Sequence, residues 1–187
     1  MSKIGKRLGL VLITNVLVLV AAGMLAPIYA VYVEKVGGDI LDVGIAAALF
    51  ALAAGLTSLL AGKYSDKIRH KQILVAICYF LTGVGFLGYI FVQNIWQLFT
   101  LQAFIGLVQA GYEPAFDGMY TKYLGNAEQA SSKWGLWEAG NYFSIAGGAF
   151  LGALIVTWFG FNWLFVGMAA LCFISALILV FKKRSLN

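Results

Sequence analysis

Six long apolar runs, separated by short polar or glycine-rich joints, organise this chain. They lie at about residues 8–33, 42–62, 73–92, 95–120, 133–158 and 161–181. A helix needs roughly 20 apolar residues to cross the hydrocarbon of a bilayer, and each run is long enough. The pattern therefore predicts six transmembrane helices, here called spans 1 to 6. The joints are Gly37-Gly38-Asp39, Lys63 to Lys71, Gln93-Asn94, Gly125-Asn126 and Gly160-Phe161-Asn162. Most are short, so consecutive spans should run antiparallel.

Basic residues orient the bundle. With the N-terminus in the cytoplasm, Lys3, Lys6, Arg7, Lys63, Lys67, Arg69, Lys71, Lys122, Lys133, Lys182, Lys183 and Arg184 all face inward. Lys35 alone faces outward, beside Glu34, Asp39 and Asp42. This is the positive-inside pattern, and it places both termini in the cytoplasm. Trp96, Trp158 and Trp163 fall at outer ends, where amphipathic rings favour the headgroup layer. The net charge of +5 is accounted for by the same bias, so no nucleic-acid partner is implied.

Composition supports the plan. At 61% hydrophobic and 11% charged, the chain has too few polar residues to coat a soluble domain. It reads as a single six-helix transmembrane domain over residues 1–187, with the bilayer of the cytoplasmic (plasma) membrane as its surroundings. The basic start and apolar run are too long for a signal peptide and show no clear cleavage site, so span 1 is expected to be retained. Cys78 and Cys172 both lie inside spans, where thiols act as small apolar fillers. His70 is the single histidine. Neither a metal cluster, a Cys–His pair, a nucleophile–base pair nor a phosphate loop can be assembled, so neither an enzyme nor a cofactor is expected.

Polar residues within the spans are the candidates for chemistry. In span 4, Gln102, Gly106, Gln109, Glu113, Asp117 and Tyr120 fall within about 80° at 100° per residue. Such a stripe should face a cavity or another helix, not lipid. Span 5 adds Glu138, Trp134, Trp137, Asn141 and Tyr142, and span 1 adds Asn15 and Tyr29. A carboxylate inside a membrane costs on the order of 2.5–3.5 kcal/mol, so it usually has a partner or a task. Glu113 and Glu138 must be paired with loop cations, hydrated or protonated, which permits a proton as coupling ion. Asp117, nearer the cytoplasmic loops, reads better as part of a charge cluster with Arg69, Lys71 or Lys133. Amides and flat rings around a cavity suit a small polar solute, with a sugar-like one favoured. The same side chains could instead tie helices together. Gly140, Ser144, Gly148 and Gly152 in span 5 allow close helix contact, for packing within the bundle or a dimer seam.

The segment from Ala61 to Gln72 resembles the loop signature of the major facilitator superfamily, roughly G-x-x-x-D-[RK]-x-G-[RK]-[RK]. Gly62, Asp66, Lys67 and Lys71 match it. Arg69 stands where that family usually has Gly, and His70 where it usually has Arg. Pro27 with Tyr29 and Tyr32 in span 1, Gly106 with Pro114-Ala115 in span 4, and Phe159 to Phe165 at the entry to span 6 add to the resemblance. Gln102 occupies the place of an Arg that many members carry, and Ala146 to Ala149 replaces the Gly-Pro signature of antiporter members.

The resemblance implies an all-α integral membrane fold, equivalent to the N-terminal half of a major facilitator. Its six transmembrane helices would form two three-helix inverted repeats. The equal separation of Tyr32 from Gly44 and of Tyr123 from Gly135 is consistent with that. It also implies that Asp66, with Lys67, Arg69 and Lys71, latches the cytoplasmic side against a helix N-terminus of the other half. Asp66 also reads as a local turn or cap residue, with the basic residues serving orientation only.

Lys182 to Asn187 is not expected to lead into a long linker toward a second half, so a second copy is the expected completion. Asp66 would then meet the N-terminal end of the partner's span 5, near Ser131 and Ser132. The function expected is secondary active transport by a homodimer through alternating access. The expected solute contacts are Asn15, Tyr29, Gln102, Gln109, Glu113, Trp137, Glu138, Asn141 and Tyr142. The latch would comprise Asp66, Lys67, Arg69, Lys71, Asp117, Ser131 and Ser132. Competing expectations are half of a heterodimer, a fragment of a longer gene, and a non-transporting solute sensor or scaffold.

Overall fold

A computed structural model describes residues 3–65, 68, 70–124 and 130–181. Every regular element among them is helical: α1 (Lys3–Leu25), α2 (Tyr29–Lys35), α3 (Ile40–Ser65), α4 (Lys71–Gly88), α5 (Ile95–Leu124), α6 (Ala130–Phe159) and α7 (Phe161–Phe181). Span 1 is divided. A single 3₁₀ turn, Ala26–Ile28, separates α1 from α2, because Pro27 offers no N–H to a continuous α-helix. A second 3₁₀ turn, Tyr89–Phe91, ends span 3. Most helices run a few residues past the apolar runs at one or both ends, since the end of a hydrophobic pattern marks the membrane edge and not the last hydrogen bond.

The joints on the expected outer side are built from capping side chains. The Asp39 carboxylate accepts from the N–H groups of Leu41 and Asp42, and Asp42 accepts from Asp39 N–H in return at 3.0 Å. Asn94 accepts from Gln97 N–H at 3.1 Å, while Gln97 accepts from Gln93 N–H at 2.7 Å. Both arrangements satisfy donors that a helix start leaves open. Gly37 and Gly160 take φ of 87° and 84°, a left-handed turn that glycine adopts without strain.

Packing pairs α3 with α5, α6 with α1, α4 with α7, α1 with α7, and α4 with α5. Lipid offers no hydrophobic drive between helices, so close backbone approach matters. Glycine provides it at two seams. A Cβ on Gly148 or Gly152 would overlap the backbone of Val20 or Met24 in α1, and one on Gly106 would overlap Phe50 in α3. The small-residue row of α6 is thus split in use: Gly148 and Gly152 pack inside the bundle, while Gly140 faces open space. Polar ties add direction. The Tyr79 hydroxyl donates to Asn15 Oδ1 at 2.8 Å, joining α4 to α1. Gln72 donates to the Leu179 carbonyl at 2.6 Å, joining α4 to α7.

One aromatic cluster clamps α2. Tyr32 donates to the Tyr89 carbonyl at 2.7 Å, and its ring lies 5.0–5.4 Å from those of Tyr89, Phe161 and Phe165. Lys35 Nζ sits 5.2 Å above the Phe161 ring, a cation–π contact.

Overpacking a tight seam typically costs about 1–3 kcal/mol. Gly152→Val is therefore expected to lower the melting temperature of the detergent-solubilised protein, whereas Gly140→Ala leaves it unchanged or slightly raised. Equal loss in both variants would show that the α1–α6 seam does not limit stability.

Candidate functional site

The polar stripe of α5 is shared between two cavities. The first, about 300 Å³, lies where the break in span 1 meets α3, α4, α5 and α7. Tyr29, Tyr89, Gln102 and Gln109 carry its polar groups, and Leu25, Phe50, Phe86, Ile105 and Met168 supply much of the apolar wall. Gln102 is 8% exposed. The Tyr29 hydroxyl is enclosed beside it without a well-aligned hydrogen bond.

The second cavity, about 180 Å³, is lined by Asn15 and Leu19 of α1, by Tyr112, Glu113, Phe116 and Asp117 of α5, and by Trp137 and Asn141 of α6. Pairs one helical turn apart, Glu113 with Asp117 and Trp137 with Asn141, share a face by the ordinary helical period. Rings close the gap between α5 and α6. Phe116 stacks on Trp137 at 5.1 Å, and Tyr120 meets Trp134 at 5.1 Å and Trp137 at 5.4 Å. Asp117 stands between two like charges, Glu113 on its own helix and Glu138 on α6. Asn141 Oδ1 is buried and has no hydrogen-bond partner among the described residues.

The nine residues expected to share a solute site are thus placed in three groups. Tyr29, Gln102 and Gln109 line the first cavity, and Asn15, Glu113, Trp137 and Asn141 line the second. Glu138 and Tyr142 line neither and are exposed, Tyr142 at 71%. Each follows a lining residue by one position, and one position turns the side chain about 100° away. Asn15, moreover, has its oxygen engaged by Tyr79.

Of the expected latch, Asp66, Lys67 and Arg69 lie outside the described residues. Ser131 and Ser132 are exposed in the first turn of α6. Lys71 Nζ lies against α5 at Gly118, the residue after Asp117, where an added Cβ would be 3.1 Å away. Sequence reasoning missed the apolar lining and Tyr112. An apolar residue in an apolar helix gives no sign of facing a cavity. Tyr112 adjoins the stripe at Glu113, the one sign of it in the sequence; its contact with Tyr79, centroids 4.9 Å apart, is a tertiary feature.

Among the described residues, five helices are long and apolar enough to cross a membrane: Gly9–Lys35, Ile40–Tyr64, Lys71–Phe91, Trp134–Phe159 and Phe161–Phe181. Ile95–Leu124 is also long enough, and it carries the glutamines and carboxylates of the two cavities. A family profile described as Major Facilitator Superfamily matches residues 11–186. The chain belongs to the major facilitator superfamily and is an integral, multi-pass membrane protein.

It is similar to the uncharacterized MFS-type transporter MJ1560 of Methanocaldococcus jannaschii, at 25% identity over 100% of this chain and 48% of that protein. It is also similar to Multidrug resistance protein MdtG of Dickeya zeae, at 28% identity over 88% of this chain and 41% of that protein. MdtG of Salmonella typhimurium is 29% identical over 55% of this chain and 26% of its own length. The chain spans about half the length, or less, of these relatives.

The Asn15–Tyr79 bond is expected to be worth on the order of 0.6 kcal/mol, the average for interhelical hydrogen bonds in membranes. A double-mutant cycle on melting free energy with Asn15→Ala and Tyr79→Phe measures it. A coupling indistinguishable from zero would remove Asn15 from the helix-tying role.

Proposed function

We propose that this chain is one six-helix half of a secondary transporter, working by alternating access with a second copy of itself. The observation that carries the reading is the pair of cavities, lined by amides and carboxylates on helices that cross hydrocarbon. Polar lining at membrane depth is tolerated where it faces protein or water, not lipid. A covering half turns that wall into a solute path.

Surface exposure supports the position of the cover. In the most apolar 18-residue stretches of the spans, 6% of the α3 stretch and 17% of the α6 stretch are buried, against 44–50% for the other three. Leu52, Leu56 and Leu59 on α3, with Tyr142, Phe143 and Phe150 on α6, are exposed. A second copy placed across a two-fold axis along the membrane normal covers these faces. The contact pairs support two inverted three-helix repeats. Exchanging α1, α3 and α4 for α5, α6 and α7 turns the α3–α5 pair into α6–α1 and the α4–α5 pair into α7–α1. The positive-inside bias supports cytoplasmic termini.

Glu113 and Asp117 are the candidate proton carriers, being carboxylates that line the second cavity. The latch at Asp66 of one copy would face Ser131 and Ser132 of the other. The similarity to MdtG, a multidrug resistance protein by name, supports an organic solute. The sugar-like solute favoured by the residue types finds less support in the first cavity, whose lining is mostly apolar.

The test is reconstitution into proteoliposomes with an imposed pH gradient. Accumulation of organic solute is expected from a complex containing two chains, and Glu113→Gln is expected to abolish its dependence on the gradient. Robust accumulation by a protein locked as a monomer would reject the dimer. A native complex holding one copy plus a different mate would make the chain half of a heterodimer, and binding without flux would make it a sensor.

A further inference from the structure

We propose that the groove between α4 and α7 holds one acyl chain of an anionic phospholipid, whose phosphate is drawn to the basic run Lys182-Lys183-Arg184 that follows α7 in the sequence. The inference goes beyond the transporter reading and needs neither flux nor a second copy.

Side-chain size builds the groove. Ala76 and Ala176 are buried and form its floor, while Ile77 and Phe80 of α4 and Leu177 and Val180 of α7 stand half exposed as its two rims. The trough measures about 320 Å³. Both ends are fixed. At one, Gln72 ties α4 to the Leu179 carbonyl at 2.6 Å. At the other, the Phe173 ring lies so close over Gly83 that an added Cβ would overlap it, and the Phe80 and Phe173 rings meet at 5.1 Å. With α4 and α7 pinned on either side of it, the trough is a standing feature of the pair.

Chemistry and length select the occupant. Every lining side chain is apolar, so a polar solute or a peptide backbone would leave its hydrogen-bonding groups unmet there, whereas hydrocarbon has none to lose. From Ile73 to Leu81 the lining rises about 12 Å at 1.5 Å per residue. Half of a hydrocarbon core about 30 Å thick is about 15 Å. The groove therefore spans most of one leaflet and closes before the middle of the bilayer, which fits a chain entering from that leaflet's headgroups. A second copy fits it less well. Among the described residues α4 packs on α5 and α7, so the groove lies apart from the exposed faces of α3 and α6 given above to a partner.

Charge selects the headgroup. The groove opens at the start of α4 and the end of α7. Val180 lines it, and Lys182, Lys183 and Arg184 follow within four residues. His70, exposed three residues before Ile73, shares the groove's face of α4. Lys71 is held elsewhere, its Nζ against Gly118 of α5. Neither α4 nor α7 contains an Asp or Glu, so neither helix repels a phosphate. Each Lys or Arg near an anionic headgroup is worth about fivefold in affinity, and salt weakens it.

The probes are palmitoyl-oleoyl-phosphatidylglycerol and the phosphatidylcholine with the same chains, titrated onto the delipidated full chain in non-ionic detergent and counted by native mass spectrometry at low ionic strength. One phosphatidylglycerol is expected to bind per chain, at least about tenfold tighter than phosphatidylcholine. Lys182→Gln, Lys183→Gln and Arg184→Gln together should bring the two lipids within about twofold of each other. Lys63→Gln, in the last turn of α3, should leave the preference intact. Ala176→Phe, which fills the trough, should weaken phosphatidylglycerol at least about tenfold with the basic run still present. Equal affinity for the two lipids, a preference that survives the triple substitution, or one lost equally in Lys63→Gln would overturn the proposal. So would Ala176→Phe that leaves lipid binding unchanged and lowers the dimer content instead, which would give the groove to a second copy. The triple substitution decides even where Ala176→Phe fails to fold.

Discussion

Hydrocarbon neither hydrogen-bonds a helix nor drives two helices together, and that constraint governs the rest of this molecule. Backbone groups are satisfied inside each helix. Adhesion must then come from shape and from a small number of polar ties. Gly106, Gly148 and Gly152 let backbones touch, and Asn15–Tyr79 and Gln72–Leu179 add directed bonds. Polar side chains left over from this task are conspicuous, because lipid gives them nothing. Tyr29, Gln102, Glu113 and Asn141 are such residues, and all four line cavities.

The two cavities divide chemistry between them. One is bounded by carboxylates, amides and stacked rings from α1, α5 and α6; the other is a mostly apolar recess whose polar groups are two glutamines and two tyrosines. Both open along α5, so a single helix carries both characters on one stripe. Gly106, in the middle of that stripe, is spent on the approach to α3. The stripe changes cavity further along, between Gln109 and Glu113: Gln102 and Gln109, on either side of Gly106, line the first cavity, and Glu113 and Asp117 line the second.

Much of the fold was legible in the sequence because its signals are coarse. Twenty apolar residues make a span wherever they occur, and Gly37, Asp39, Asn94 and Gly160 punctuate the chain by local chemistry alone. The site was legible only in part. The helical period puts Gln109 and Glu113 on one face, yet it could not assign them to separate cavities, nor separate Asn141 from Tyr142 without knowing which way α6 is rotated. That rotation is fixed by Gly148 and Gly152 meeting α1, a tertiary contact. The apolar half of the lining, Phe50, Phe86 and Met168, carries no mark that distinguishes it from residues facing lipid.

The break at Ala26–Ile28 gives span 1 two separate allegiances. Below it, α1 is seated backbone to backbone on α6 through Gly23, Gly148 and Gly152. Above it, α2 is gripped by Tyr89, Phe161 and Phe165 of the α4–α7 pair. Any swivel of α6 relative to α4 and α7 must be absorbed in this short coupling or break one attachment. Ile28, at φ −113° and ψ 7°, is already off the helical path there. Tyr29 follows it directly, so the hydroxyl in the cavity rides on the coupling and changes its aim whenever the two parts turn.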